Sequence, residues 1–285
     1  MQVDTIAEQL FFTTTRIDTV APDGTAGSGT GFFFQYVANG VTYPFVVTNK
    51  HVVMGMRNGS LNFLKQKDGR PELGNGFTLE VGADDWAKMW FGHQDLHVDI
   101  AISAFAPMQQ YIKDHHGVDL FFRSVDKAIV PTQQQIDELD AVEDVTFIGY
   151  PNGVWDAKNL LPVARRGTTA TPIGVDFENT PRFLIDASVF GGSSGSPVFV
   201  LNQGSWAAKN GGLVAGSRLI FIGVVAAVFY RTHLNQIVPV PIPTQVRPMV
   251  EQQEMIDLGI VFKARTVVET VEAFLKANGL GVTEA

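Results

Sequence analysis

The sequence predicts an all-β protein made of two β blocks, and three observations carry that prediction. Short apolar runs rich in Val, Ile, Phe and Thr recur between clusters of Gly, Pro, Asn and Asp, the pattern of strands and turns. The chain has 285 residues, 45% of them hydrophobic and only 18% charged, enough to bury one sizeable core or two small ones. Residues 107–141 break the pattern with polar stretches such as QQYIKDHH and TQQQIDELD, which read as a connector with some helix. Two β blocks joined in this way fit two barrels or a sandwich pair.

Strands are expected at 32–37, 43–48, 77–81 and 99–104 in the first block, and at 145–149, 183–186, 198–201 and 221–230 in the second. After PVPIP, residues 239–243, the character changes. Pro248 suits the first position of a helix. TVVETVEAFLKANG then carries a capping box, Thr266 as N-cap with Glu269 three residues later. Val267, Val268, Val271, Phe274 and Leu275 follow at helical spacing, and Gly279 suits the stop. The expected organisation is one β domain over 1–243, with a first barrel at about 10–106, the connector at 107–141 and a second barrel at about 142–238. A helical extension of two helices over 244–285 follows, either covering β surface or serving as a lid or partner-docking element.

Several function classes are disfavoured. The net charge is −8 with no basic stripe, so nucleic acid is not an expected partner. The absence of cysteine removes disulfides, thiol nucleophiles and cysteine zinc sites. The N-terminus MQVDTIAEQLFF does not resemble a signal peptide, and the longest apolar run, 219–230, is too short to span a membrane as a helix. A cytoplasmic protein without membrane contact, cofactor or metal is therefore expected. His93 and His97 have the i,i+4 spacing of metal ligands on a helix, but their segment, FGHQDLHVD, does not read as helical. Structural or solvated roles are expected for His115, His116 and His233.

The stretch VFGGSSGSPVFV, residues 189–200, places three serines among three glycines before an apolar strand. A serine hydroxyl is a poor nucleophile unless a base takes its proton, a third group orients that base, and backbone N–H groups face the developing oxyanion. His51, in FVVTNKHVV, lies at the end of a β run, a rigid mount for a side chain facing a cleft. Asp99, in HVDIAISAF, opens an apolar strand, where a lone carboxylate is costly without a hydrogen-bonding partner. A histidine N–H would supply one. The separations are 48 residues from His51 to Asp99 and 95 from Asp99 to Ser194.

TNKHVV, DIAI and GSSGSP, in that order, resemble the motifs of the chymotrypsin/trypsin-like serine proteases. VTNKHVV, FIGYPNG and DASVFGGSSGSP are most similar to the bacterial HtrA-like members, and GSSGSPVF equally to the glutamyl endopeptidases. The resemblance covers about residues 10–238. It implies a chymotrypsin-like double six-stranded β-barrel, here with C-terminal helices. It implies Ser194 as nucleophile, His51 as general base and then acid, and Asp99 as the group that orients His51. The backbone N–H groups of Gly192 and Ser194 would form the oxyanion hole, and Ser193 and Ser196 would be loop residues.

The chain departs from the family in places. Animal digestive members carry an aspartate just before the nucleophile, paired with a newly cut N-terminus; Ser193 stands there, so activation of that kind is not expected. The residues after PVPIP are too few for the PDZ domain of HtrA-like members. Ser188, near the base of the substrate pocket, is not acidic, and Ala226, Ala227 and Val228 would form an apolar wall without the histidine of the glutamyl enzymes. An uncharged P1 side chain, small to medium or aromatic, is expected. The insert at 202–218 is close enough in sequence to shape or occlude the site. The function implied is a serine endopeptidase acting on a protein or peptide substrate through an acyl-enzyme, restrained by its own loops, its tail or a regulatory partner bound there. The alternatives are a scaffold module with the chemistry lost, and an esterase using the same triad.

Overall fold

Alternation along each strand decides which residues turn inward, and in the first block it produces a curled sheet. The structure, a computed structural model, describes residues 2–234 and 251–280. Helix α1 (Ile6–Leu10), closed by a Thr5/Glu8 capping box, leads into β1 (Thr14–Val20), β2 (Ala26–Ala38) and β3 (Val41–Thr48). The one-turn helix α2 (Lys50–Val53) follows, then β4 (Asn58–Lys67), β5 (Arg70–Val81), α3 (Ala83–Met89), β6 (Phe91–Gly92) and β7 (Ala101–Ala104). The sheet order is β5-β4-β1-β2-β3-β7-β6. Ile17, Phe33, Val46, Leu61, Phe63, Leu79 and Ala101, one or two from each of six strands, point into one core. Trp86 of α3 fills it and donates its indole N–H to the Val53 carbonyl at 3.0 Å, which satisfies the polar end of a buried ring.

The connector holds α4 (Phe105–His116), two short strands, β8 (Leu120–Phe121) and β9 (Val125–Asp126), and α5 (Gln133–Glu138). β8 joins β4 and β9 joins β2, so the first sheet has nine strands. The double-barrel class expected from the sequence is the one observed. Its first half is a nine-stranded curled sheet rather than six strands alone, because β6 extends β7 and the connector strands β8 and β9 add to β4 and β2.

The second block is a closed six-stranded barrel. Its strands are β10 (Asp144–Gly149), β11 (Val163–Thr169), β12 (Arg182–Asp186), β13 (Pro197–Asn202), β16 (Arg218–Leu234) and β17 (Glu251–Lys263), in the order β10-β11-β12-β17-β16-β13. Phe147, Phe183, Ile185, Val198, Val200, Ile222, Val225 and Val261 fill its interior. A third core lies between the halves: Phe32, Phe34, Phe45, Val47 and Ile102 of the first sheet meet Ile148, Phe199, Phe221, Val224 and Phe262 of the barrel. The segments 197–201 of β13 and 219–226 of β16 are thus buried on both faces, which is why they read as apolar runs rather than alternating.

The helical extension expected over 244–285 is corrected. Residues 251–263 form β17, which pairs with both β12 and β16 and closes the barrel. Pro248 and the boundary at 243/244 lie outside the described residues, as does the side chain of His233. One helix follows, α6 (Arg265–Ala277). The capping box expected at Thr266 is absent: the chain leaves β17 directly into the helix, Ala264 is the N-cap, and the Thr266 hydroxyl donates to the Lys263 carbonyl at 2.8 Å. The stop at Gly279 matches its φ of +64° and a Schellman pair, Gly279 N–H to Lys276 and Leu280 N–H to Leu275. Val267, Val271 and Leu275 enter the core between the halves, and the Phe274 ring stands edge-on to Phe45 and Phe91. The apolar face of α6 is therefore spent on covering the chain's own sheet. Among the described residues no helix is long and apolar enough to cross a membrane.

The insert at 202–218 is also corrected. It forms a hairpin, β14 (Ser205–Ala207) and β15 (Leu213–Ala215), at the Asn202/Arg218 end of the β13–β16 ladder. Ser194 precedes the other end, where Pro197 pairs with Val224, about 17 Å away at 3.3 Å per residue. Lys209 ties the hairpin to the Asp137 carbonyl at 2.7 Å. It lies at the end of the ladder opposite Ser194.

Leu275→Ala is expected to lower unfolding free energy by about 2–5 kcal/mol in urea denaturation, the range for a large-to-small change in a tight core. Lys276→Ala, on the exposed face of the same helix, should stay within about 0.5 kcal/mol of the parent.

Candidate active site

The short helix α2 begins where β3 ends, so the backbone turns at Asn49 and His51 projects from a rigid corner. The Asp99 carboxylate grips this corner twice: Oδ1 accepts the His51 backbone N–H at 3.0 Å, and Oδ2 meets the His51 Nδ1 at 2.5 Å. A carboxylate can only accept, so in the neutral imidazole Nδ1 carries the proton and Nε2 is left as an acceptor. The Asn49 amide donates to the Asp99 carbonyl at 2.6 Å and fixes the approach of the two segments. The side chain of Asp99 is 26% exposed and that of His51 50%, so the pair lies at a cleft rim with the carboxylate inside.

Ser194 belongs to a loop clamped on Thr30 of β2. The Thr30 N–H donates to the Ser194 carbonyl at 2.8 Å, and the Thr30 hydroxyl to the Gly192 carbonyl at 2.9 Å. Ser193 N–H bonds the Phe190 carbonyl at 3.0 Å, closing a turn over 190–193 with Gly192 at φ +79°, the third-position value of a type II turn. Types I and II differ by a flip of the central peptide, so this φ sets the direction of the Gly192 N–H. The Gly192–Ser193 peptide is bonded at both ends, its oxygen to Thr30 and its N–H to Phe190. Among the described residues, the N–H groups of Gly192 and Ser194 have no protein acceptor. The Ser194 hydroxyl donates to the Ala226 carbonyl at 3.1 Å rather than to His51.

Gly195 is irreplaceable on two counts. Its φ is +89°, and a Cβ there would lie 1.8 Å from the Thr30 carbonyl oxygen. That oxygen also accepts the buried Thr48 hydroxyl at 2.7 Å, so it cannot retreat.

Gly195 N–H bonds the Val225 carbonyl, and Ala226, Ala227 and Val228 follow along β16: Ala226 is buried in the core between the halves, Val228 packs against the barrel core, and Ala227 is exposed. Ser188 is exposed. His93 and His97 sit in a turn; His93 Nε2 is 3.2 Å from Glu269 of α6 and its Nδ1 accepts from Asp95 N–H. Among the described residues no group of three or more His, Asp or Glu could hold a metal. His115 stacks on Tyr111, and His116 packs at a tilt against Phe77. Three residues missed in the sequence matter most: Thr30, Asn49 and Arg165, whose guanidinium bonds Ser188 and Ser193.

The fold is that of the chymotrypsin-like double β-barrel class. Residues 29–208 match the family described as the trypsin-like peptidase domain, and the chain belongs to it. No curated protein matches the chain. Among solved structures it is similar to the Rv3671c protease from M. tuberculosis in its active form, with 18% identity, a TM-score of 0.47, and 98% of this chain and 85% of that one covered. It is also similar to the thermostable serine protease AL20 from an extremophilic microorganism (15% identity, TM-score 0.40, 92% and 97% covered). A third is the tobacco etch virus protease complexed with product (14%, 0.42, 80% and 73%).

Gly195→Ala is expected to cost at least about 3 kcal/mol, since it combines a positive φ with a backbone clash. Thermal unfolding of the purified variant checks this; an unchanged transition would contradict the clamp on Thr30.

Proposed function

We propose that the protein is a serine endopeptidase in which Ser194 is the nucleophile, His51 the general base and Asp99 its orienting group. The single observation that carries this reading is the doubly held His51, with Nε2 left as acceptor, in a chain whose serine loop keeps the N–H groups of Gly192 and Ser194 uncommitted. The Ser194 hydroxyl rotates from the Ala226 carbonyl to His51 Nε2, exchanging one hydrogen bond worth about 1 kcal/mol for another. Its oxygen attacks the scissile carbonyl while His51 takes the proton. Asp99 stabilises the imidazolium, and the carbonyl oxygen, now an oxyanion, turns to the two free N–H groups. His51 then protonates the leaving amine, the acyl-enzyme forms, and water reverses the sequence. Ala226, Ala227 and Val228 support an uncharged P1 side chain. The hairpin at 205–215 is too far from Ser194 to restrain the enzyme, so control by a bound partner is the form of regulation kept in this proposal.

A fluorophosphonate probe should label Ser194, located by mass spectrometry, and labelling should vanish in Ser194→Ala and His51→Ala. Asp99→Asn should lower kcat by roughly 10³- to 10⁴-fold, because the amide stabilises the wrong histidine tautomer. A wild-type protein that folds yet never labels would favour the scaffold alternative. Equal cleavage of a peptide library after Arg or Glu would overturn the apolar P1 pocket.

A further inference from the structure

Arg165 extends from β11 opposite Phe147, and its guanidinium lies 4.5 Å over that ring, at the end of the barrel interior nearest the serine loop. Nη1 donates to the Ser188 carbonyl and Nη2 to the Ser193 hydroxyl, both at 2.6 Å. The Nε–H is buried and without an acceptor, and among the described residues no carboxylate pairs with this cation. Burial alone pulls its pKa down to about 10. A guanidinium placed this way is costly, because desolvation is not repaid by a counter-charge. Its return is two charge-assisted hydrogen bonds, and both fall on one loop.

The acceptor on that loop is its hub. Ser193 is fully buried, and its hydroxyl accepts from Arg165 and from the Phe190 N–H at 3.2 Å. Phe190 and Ser193 are the first and last residues of the turn whose central peptide aims the Gly192 N–H. Ser188, the other acceptor, is where the same loop enters. We propose that Arg165 is a positioning residue that holds the 188–193 loop in its type II form, and with it the Gly192 and Ser194 N–H groups in oxyanion-binding geometry. Because the cation is part of the mature strand, the loop is set without cleavage of the chain. This rests on Ser194 being the nucleophile, which wild-type labelling tests separately.

The test uses Arg165→Met, which keeps a long stem over Phe147 and removes the donors, with Ser193→Ala and the double variant. On a peptide substrate, kcat is expected to fall on the order of 10- to 100-fold in Arg165→Met, short of the loss of a whole oxyanion donor, while KM stays within about threefold. Fluorophosphonate labelling should slow in parallel. Ser193→Ala should show a similar loss, and the double variant little more, since both act through one bond. Arg165→Lys should recover part of kcat but lose it at lower pH than the wild type, because a lysine desolvated at this site gives up its proton earlier. Four results would overturn the proposal: an unchanged kcat in folded Arg165→Met, strictly additive losses, a loss confined to substrates with acidic P1 residues, or an Arg165→Lys profile identical to the wild type. If Arg165→Met does not fold, Arg165→Lys and Ser193→Ala decide the matter by the same kcat and pH readouts.

Discussion

Everything at the candidate site depends on the junction at Thr30. This residue of the first sheet uses its N–H, its carbonyl and its hydroxyl on neighbours that must be held still: Ser194, Thr48 and Gly192. The hydroxyl also receives the Tyr150 N–H at 3.1 Å, from the first turn of the barrel. The serine loop therefore belongs to the second barrel by sequence and to the first sheet by hydrogen bonding. Thr48, which bonds Thr30, is three residues before His51. One buried threonine thus links the segments that carry His51 and Ser194, and buried polar groups in such a network are costly to disturb.

The apolar counterpart of that junction is the core between the halves. Phe32 and Phe34 flank Phe33, which points to the opposite core, so β2 carries aromatic rings on both faces. Phe221 gathers Phe32, Phe34 and Phe199 around it within 6.3 Å between ring centres. α6 completes this layer, and its Glu272 accepts from the Tyr36 hydroxyl at 2.7 Å while Glu269 meets His93. The Asp99 segment is thereby tied at one end to α2 and at the other, through His93 and Asp95, to the C-terminal helix. Burial supplies the energy, and these polar contacts supply the register.

Legibility in the sequence followed the same physics. All eight strands expected from apolar runs are present: most of these runs are deeply buried, and at 77–81 Leu79 turns inward between exposed neighbours. The helical face of α6 was legible from its spacing, and the His51, Asp99 and Ser194 segments from their motifs. β17 was not: Val261 faces the barrel core while Phe262 faces the core between halves, so no alternation marks it as a strand. Thr266 looked like a cap because Glu269 stood three residues on, but a helix that starts one residue after a strand takes its first turn from the backbone. β11 escaped because its inward position is an arginine, the residue type that alternation rules expect outside. The second half of the oxyanion geometry was illegible for a related reason: it depends on contacts between residues more than 130 positions apart, such as Thr30 and Gly192.

Arg165 and Thr30 approach the serine loop from opposite sides and solve different parts of one problem. Thr30 fixes the carbonyls of Gly192 and Ser194 and so anchors the peptides that follow them. Arg165 fixes the Ser193 side chain at the end of the preceding turn and the Ser188 carbonyl where the loop enters it. A turn held only at its carbonyls can still exchange between types I and II, since that exchange rotates the central peptide and leaves the ends nearly in place. Holding Ser193 through its side chain as well as its N–H restricts that rotation. The inward arginine that hid β11 from the sequence reading is thus the same group that makes the loop in VFGGSSGSP a rigid presentation rather than a flexible turn.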